Sequence, residues 1–412
     1  MSNDVRARLR KAWHVVRRRR KANAYVARRL AVSKARWLGD AVCPVVLMID
    51  DLTNAWHNRT SAASWEPGGD WGGALDAPDG AVAFLDQHLL REHPEARTTF
   101  FVVAGPISSY THTQPFRFAA ALDADERSTD FFRKLDRDPR FELAYHGYNH
   151  GAAGARTEEF LQEWRGFRSS DEAKAQTLRG LAIFQRATGR TPRGGKYGGW
   201  EYNEFAEDAV NECGFLWWCR DWMPRDVTGS VPDDYYEVQL FGRNLVAALP
   251  STVHGHFWDT RQIDLLAARQ QVISIEEHIA PIRPDGLVQT PNIVDDIREL
   301  RRLYRYLRRY HVWHATCTEI ATYALARERT LVHDVQADRF SVNYEGRIER
   351  PALTLRLGCA SICSRQTPRV VVTLPDGAEL PPDACRFDPS AFNHLVTIPV
   401  MNGTYSVRAT SC

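Results

Sequence analysis

Short apolar runs that end in polar side chains dominate the first half of the chain. Val45 to Ile49, Arg97 to Val103 and Glu142 to Tyr145 are rich in β-branched and aromatic residues, which is typical of strands. The stretches between them are compatible with helices. Strands that alternate with helices predict a parallel α/β sheet or barrel.

Two later regions have other patterns. Between Ile293 and Tyr310 apolar residues recur at helical spacing, with acidic residues early and basic residues late, so we expect a helix that covers the barrel. After about residue 330 apolar and polar residues alternate, and Pro375-Asp376-Gly377 and Asn402-Gly403 are turn signals. This pattern predicts a small β-sheet or sandwich.

Metal-compatible side chains follow two of the early strands. Asp50 and Asp51 come directly after Val45 to Ile49, and His146 and His150 follow the third run. In a parallel barrel, functional groups gather at the carboxyl ends of the strands. Two imidazoles and a carboxylate bind a divalent ion and leave positions open for water and substrate. The pattern therefore indicates a metal-dependent hydrolase.

Asp50-Asp51 after an apolar strand, the Thr99-Phe100-Phe101-Val102 strand and His146-x-x-x-His150, in this order, resemble the NodB-homology polysaccharide deacetylases of carbohydrate esterase family 4. The resemblance covers roughly residues 44 to 325. It implies a distorted (β/α)7-8 barrel, similar to a TIM barrel, that removes an acetyl or formyl group from an amino sugar. The expected setting is the biosynthesis of a bacterial surface polysaccharide such as lipopolysaccharide.

The resemblance also implies roles for single residues. Asp51, His146 and His150 are the implied metal ligands, and Asp50 is the general base that activates water. Zinc is the expected ion, with cobalt, nickel and manganese as alternatives.

The third motif departs from the family. Where the family has an Arg that orients the base, counting from Pro192 places Lys196, and Arg193 is the competing candidate. Lys holds a carboxylate as a point charge, without the two-pronged contact of Arg. The Gly-rich stretch that follows, near Tyr197, is expected either to present backbone N–H groups to the developing oxyanion or to be a flexible loop.

The remaining site residues are predicted from strand ends and loops. Asp221 and Trp222 correspond to the Asp and Trp that the family places near the base, although Trp more often fills the core. Trp71 lies in a long loop, Trp56 to Gly80, and is a candidate platform for a sugar ring. His278 is the first choice for the general acid and His256 the second.

Composition fits a barrel with accessory parts. The chain has 412 residues, of which 44% are hydrophobic and 25% charged, so it can bury more than one core. We expect a basic helical arm over residues 1–42, the barrel over 43–328 and a C-terminal β domain over 329–412. Without a run of 18 apolar residues, no membrane span is expected.

The formal net charge is only +2, but residues 1–38 contain Arg17 to Lys21 and a single acidic residue, Asp4. The segment lacks the apolar core of a secretory signal, so we expect a cytoplasmic protein with reduced cysteines. It predicts peripheral contact with the inner membrane, which suits a lipid-linked or nucleotide-linked sugar. The alternative is an arm that packs on the barrel or on a neighbouring subunit of a homo-oligomer.

Two other functional interpretations stay open. The irregular third motif is compatible with a noncatalytic carbohydrate-binding member of the same fold. The basic arm alone would suit an adaptor for nucleic acid or a membrane surface, although no nucleic-acid partner is expected for the enzyme.

Overall fold

The computed structural model describes residues 30–54, 57–61, 64–67, 80–108, 117–222, 237–241, 246–254, 258–279, 289–358, 369–391 and 393–410. The chain divides into two compact units. The larger unit consists of residues 42–322, and the smaller one consists of residues 1–41 and 323–412. All of the predicted metal ligands belong to the larger unit.

A ten-stranded sheet forms the centre of the larger unit. Its strands, in the order in which they lie side by side, are Gln239–Phe241, Val246–Ser251, Trp217–Trp222, Gly194–Lys196, Phe141–Gly147, Thr98–Val103, Pro44–Leu52, Ile273–His278 and Val253–His254. Trp313–His314 also pairs with the beginning of Pro44–Leu52. Neighbouring strands are parallel except at Gln239–Phe241, which is antiparallel to its partner.

One extended segment joins the two edges of this sheet. Val246–Ser251 pairs with Trp217–Trp222, whereas Val253–His254 pairs with Ile273–His278 at the other edge. Thr252, between them, is tied to Ser274 by two hydrogen bonds of 3.0 and 2.9 Å. The sheet therefore curls into a distorted (β/α) barrel, and the predicted fold class is confirmed.

The central barrel strands are buried on both faces, which explains why they appear in the sequence as continuous apolar runs. Every residue of Pro44–Leu52 except Asp51 is buried, and so is every residue of Thr98–Val103. These two central strands end where the predicted site begins.

Helices occupy the connections between strands. In the larger unit they are Ala81–Leu85, which continues as a π-helical turn over Asp86–Leu90, then Glu126–Arg137, Ser170–Thr188, Glu204–Glu212, Thr260–Ala268 and Ile293–Leu307. Five of them begin with a side chain that accepts a hydrogen bond from a first-turn N–H, namely Asp125, Ser169, Asn203, Asp259 and Asn292. The covering helix predicted from Ile293 is confirmed, and it ends at Leu307.

Shorter elements fill the loops. The paired short strands are His57–Ser61 with Ser64–Pro67, Ile107–Ser108 with Arg117–Ala119, and Gly151–Ala152 with Leu161–Gln162. The 3-10 turns are Leu38–Asp40, Thr157–Glu159, Glu163–Arg165, Gly198–Trp200 and Pro382–Ala384. The first strand pair lies in the predicted long loop, so part of that loop has β structure.

The smaller unit contains two antiparallel four-stranded sheets, as expected for a small sandwich-like β domain. One has the order Ala31–Lys34, Ala352–Gly358, Asn393–Pro399 and Cys385–Asp388. The other has the order Thr330–His333, Arg339–Tyr344, Gly403–Thr410 and Arg369–Thr373. The chain enters this unit within helix Cys317–Arg329.

The predicted basic helical arm differs from the structure where the two can be compared. Ala31–Lys34 forms a strand that pairs with Ala352–Gly358, because cross-strand hydrogen bonding is available there and overrides the helical spacing. Residues 1–29 lie outside the described residues. Among those described, no helix has the length and apolar character needed to cross a membrane.

Candidate metal centre

The structure brings Asp51, His146 and His150 together at the carboxyl ends of the barrel strands. Asp51 Oδ1 lies 3.4 Å from His146 Nε2 and 3.2 Å from His150 Nε2. The potential ligand atoms of all three residues lie within 4.8 Å of one another. No other such group of His, Cys, Asp and Glu occurs among the described residues.

Unusual backbone conformations orient the side chains of Asp51 and His150. Asp51 has a φ of 62°, and the pairing of its strand with Thr98–Val103 shifts register between Ile49 and Leu52. His150 has a φ of 67°. Left-handed backbone at residues other than Gly is costly and persists where the surrounding structure enforces it, commonly at functional sites.

Burial and charge make this pocket favourable for a cation. Burial by itself raises the pKa of Asp51, but the imidazoles of His150 and His146 outweigh it and hold this pKa well below its usual range. Burial lowers the pKa of His150, yet the Asp51 carboxylate gives a net raised pKa. The pocket therefore attracts positive charge, which a divalent ion can supply.

The donor set fits a divalent metal. Two imidazole nitrogens and one carboxylate oxygen are the ligands of the two-His, one-carboxylate sites that leave coordination positions open. His146 Nδ1 donates a hydrogen bond of 3.1 Å to the Lys196 carbonyl, so its Nε2 is left to face the pocket. Asp51 remains 28% exposed, which gives ions and substrate access to the pocket.

Lys196 joins the predicted base to a second carboxylate. Its Nζ lies 2.6 Å from Asp50 Oδ2 and 3.0 Å from Glu276 Oε1. All three side chains are buried. Burial lowers the pKa of Lys196, but Asp50 and Glu276 raise it more, so the ammonium stays charged.

Trp200 completes this group. Its Nε1 donates a hydrogen bond of 3.0 Å to Glu276, and its ring centroid is 4.0 Å from Lys196 Nζ. The ammonium is thus held by two carboxylates and an aromatic face. Neither Trp200 nor Glu276 was identified as a site residue from the sequence. The position of Glu276 near a predicted strand end, in Glu276-Glu277-His278, could have indicated it.

The two candidates for orienting the base are distinguished by position. Lys196 ends the Gly194–Lys196 strand beside Asp50, whereas Arg193 precedes this strand and is exposed. Arg193 therefore lies at the amino end of the strand, away from the metal ligands. As a base-orienting or substrate-binding residue it does not fit, because barrel sites form at the carboxyl ends.

The Gly-rich stretch is an ordered strand, Gly194–Lys196, followed by a 3-10 turn, Gly198–Trp200. Gly194 and Gly195 form part of a strand, where a side chain at Gly195 would meet the Tyr145 carbonyl oxygen at 2.2 Å. The Tyr197 ring is fully buried and stacks on Tyr202 with centroids 4.4 Å apart. The ring belongs to the core, and only the backbone of Tyr197 stays a candidate for substrate contact.

Of the remaining candidates for the general acid and for substrate contact, the structure describes the side chain of His278 only. His278 pairs in register with Asp50, and its Nδ1 donates a hydrogen bond of 2.8 Å to the Pro291 carbonyl. Asp221 and Trp222 end the Trp217–Trp222 strand, but their side chains lie outside the described residues. His256 and Trp71 also lie outside them.

No protein-family profile and no curated protein matches the sequence. A Mycobacterium smegmatis protein assigned as a polysaccharide deacetylase is 17% identical, with a TM-score of 0.42, over 72% of this chain and 94% of that one. A family 4 acetyl xylan esterase from Clostridium thermocellum, solved with a cobalt ion, is 14% identical, with a TM-score of 0.33, over 68% and 90%. A family 4 pseudoenzyme from Bacillus anthracis is 13% identical, with a TM-score of 0.33, over 67% and 64%.

At these sequence identities and TM-scores, the similarity to the solved structures does not assign an activity to this chain. The chain is similar to polysaccharide deacetylases and other carbohydrate esterase family 4 proteins.

Proposed function

We propose that this chain is a NodB-homology deacetylase that removes an N-acyl group, acetyl or formyl, from an amino sugar by metal-dependent hydrolysis. One observation carries the proposal. The buried Asp50–Lys196 ion pair lies directly beside the Asp51, His146 and His150 cluster at the carboxyl ends of the barrel strands.

The formal charges of the site also support a divalent ion. Asp50, Asp51 and Glu276 contribute three carboxylates and Lys196 one ammonium, which leaves two negative charges if the imidazoles are neutral. Uncompensated buried charge is strongly unfavourable. A doubly charged cation at the three ligands would balance these two charges.

The side chains of the site have distinct roles in the proposed reaction. When bound, a divalent ion lowers the pKa of water and polarises an acyl oxygen. Asp50 takes the proton of the attacking water, and Lys196 holds its carboxylate in place. Lys196 thus replaces the Arg of the family at this task.

His278 is the proposed donor to the leaving nitrogen. Because the Pro291 carbonyl can only accept, Nδ1 carries a proton in either charge state, and Nε2 is the atom that gains and releases one. Protonated His278 gives this proton to the nitrogen as the C–N bond breaks. The products are the free amine and the carboxylic acid.

Substrate identity rests on the sequence resemblance alone. We propose a lipid-linked or nucleotide-linked amino sugar or its glycan, handled in the cytoplasm, with the basic residues that precede the strand Ala31–Lys34 contacting the inner membrane. Removing residues 1–29, which leaves the strand Ala31–Lys34 in place, should lower binding to anionic liposomes and leave hydrolysis of a water-soluble substrate unchanged. Equal liposome binding would contradict the membrane contact.

The decisive experiment combines metal content with turnover. Elemental analysis should find one divalent ion in the wild type and less in His150→Ala. Asp50→Asn should keep the metal but release acetate or formate from N-acyl amino sugars at least about 100-fold more slowly. Asp138→Asn, whose carboxylate pairs with Arg140 away from the site, is the matched control and should behave as wild type.

The outcomes separate the candidate functions. Near-wild-type turnover by metal-loaded Asp50→Asn would contradict the role of the base. Bound metal without release of any acid, together with measurable glycan binding, would favour the noncatalytic carbohydrate-binding protein.

A further inference from the structure

The segment between the two histidine ligands is held by a part of the chain that follows it. We call residues His146 to His150 the ligand loop. A hairpin of Gly151–Ala152 and Leu161–Gln162 returns the chain to this loop and leads into the turn Glu163–Arg165. Glu163 and Trp164, the first two residues of that turn, are both buried.

Glu163 binds three successive N–H groups of the ligand loop. Its Oε1 accepts from Tyr148 N, and its Oε2 accepts from Asn149 N and His150 N, each at 2.9 Å. Gln176 Nε2 donates a fourth hydrogen bond to Oε1, also at 2.9 Å. Four hydrogen bonds thus engage the two oxygens of this buried carboxylate.

The backbone and Trp164 hold the two ends of the loop. Glu163 N donates to the His150 carbonyl at 3.1 Å. Trp164 Nε1 donates to the His146 carbonyl, also at 3.1 Å. Both histidine ligands therefore have their main chain tied to the same two residues.

The loop needs this support because its backbone is strained. His150 has a φ of 67°, and Gly147 has a φ of 133°, a conformation that residues other than Gly avoid. A side chain at Gly147 would meet Glu163 Oε2 at 2.5 Å, so the carboxylate occupies the space that glycine leaves. A left-handed residue persists where its surroundings enforce it.

We propose that Glu163 and Trp164 form a positioning clamp that sets the two imidazoles of the ligand loop at the geometry they share with Asp51. Neither residue belongs to the cluster of Asp51, His146 and His150. The inference rests on the proposed function in that the position is taken to be a metal site. Its measurable consequence is metal affinity, because partners that orient ligands typically contribute about 10- to 100-fold.

The test measures metal binding on the folded, full-length protein. Glu163→Gln places an N–H group against backbone N–H donors, and Trp164→Phe removes only the indole N–H. We expect Glu163→Gln to weaken Zn²⁺ binding, measured by chelator competition, by about 10- to 100-fold and to change the visible spectrum of bound Co²⁺. Trp164→Phe should shift both in the same direction by less.

Glu159→Gln is the matched control. This carboxylate lies between the two strands of the same hairpin and accepts from the backbone N–H of Ala155, but it is exposed and has no hydrogen bond to the ligand loop among the described residues. Its Zn²⁺ affinity and Co²⁺ spectrum should equal those of the wild type.

Hydrogen exchange provides a readout that needs no metal. Exchange of the amides of residues 148–150 should be faster in Glu163→Gln than in the wild type. Faster exchange with unchanged metal affinity and Co²⁺ spectrum would overturn the clamp as a positioning device. If the wild type binds neither ion, the proposed function fails, and unchanged exchange in the variant would overturn the clamp separately.

Discussion

Asp50 and Asp51 are neighbours in the chain but occupy different environments. The Asp50 side chain is 5% exposed and pairs with Lys196, whereas the Asp51 side chain is 28% exposed and faces the two imidazoles. A regular strand would point the two side chains to opposite faces of the sheet, and the positive φ of Asp51, with the register shift between Ile49 and Leu52, departs from that alternation. A base and a metal ligand can therefore come from consecutive residues.

The ion pair of Lys196 should be essential for stability. Lys196→Met would leave Asp50 and Glu276 buried with no cation between them. We expect a loss of about 3 to 5 kcal/mol in the free energy of unfolding, measured in urea. Lys174→Met breaks an exposed pair with Glu212 and should change stability little. Equal stability of Lys196→Met and the wild type would contradict the burial of the charges.

His314 should make stability depend on pH. Burial lowers its pKa from 6.5 to about 4, and its ring stacks on Tyr304 with centroids 5.7 Å apart. Between pH 6.5 and about pH 4 the unfolded chain binds more protons at this histidine than the folded chain does, so the free energy of unfolding falls as the pH falls.

The measurement is urea unfolding at pH 7 and pH 5. The wild type should lose about 1 to 2 kcal/mol more than His314→Gln between the two values. His333→Gln, at a histidine that is 41% exposed, should keep the pH dependence of the wild type. An equal loss in the wild type and His314→Gln would show that other groups cause it.

At the scale of elements, the barrel strands deliver the chemistry and the loops after them shape it. The Pro44–Leu52, Phe141–Gly147, Gly194–Lys196 and Ile273–His278 strands each contribute a residue of the site at or just after the carboxyl end. The ligand loop contains two residues with positive φ, Gly147 and His150. Close packing against Glu163 keeps the loop in this conformation.

Gly147→Ala tests this packing. The substitution adds a methyl group where Glu163 Oε2 lies and strains the backbone at a φ of 133°. Gly189→Ala is the matched control, because its φ is 90° and nothing lies within 4 Å of the added carbon. Gly189→Ala should cost about 1 to 3 kcal/mol of strain, and Gly147→Ala should cost more and also weaken Co²⁺ binding. Equal costs and equal affinities would contradict the close contact.

On the scale of the whole molecule, closure of the barrel gives the site its shape. The candidate ligands come from positions 51, 146 and 150, and the charged groups that flank Asp50 come from positions 196 and 276. Sequence separation of this size means that the site exists only in the folded chain. Metal binding and folding should therefore be coupled.

This coupling predicts metal-dependent stability. With Zn²⁺ at about 100 times its dissociation constant, the wild type should gain about 2.7 kcal/mol in the free energy of unfolding over the chelated protein. His150→Ala should gain much less, because one of the three ligands is missing. Urea unfolding with and without metal measures the difference, and equal gains would show that the ion binds elsewhere.

The sequence alone predicted the central barrel strands, the fold class and the three residues of the candidate metal cluster. Apolar runs of strand length and their polar ends carry this information locally, because a strand buried on both faces must be apolar throughout. The helix from Ile293 was predictable for a similar reason, since its buried positions recur at helical spacing. The sequence also indicated Lys196 as one of two candidates, with Arg193, for the cation that orients Asp50.

Tertiary structure decided the contacts between distant positions. Arg193 and Lys196 are three positions apart in the sequence. Only the folded structure shows that Lys196 is the one beside Asp50. Glu276 and Glu277 are both buried, but only Glu276 meets Lys196, because neighbouring strand residues point to opposite faces. Glu163 reaches His150 through a hairpin whose register no local pattern specifies. Such partners are chosen by the packing of whole strands and loops, which a local pattern of residues does not encode.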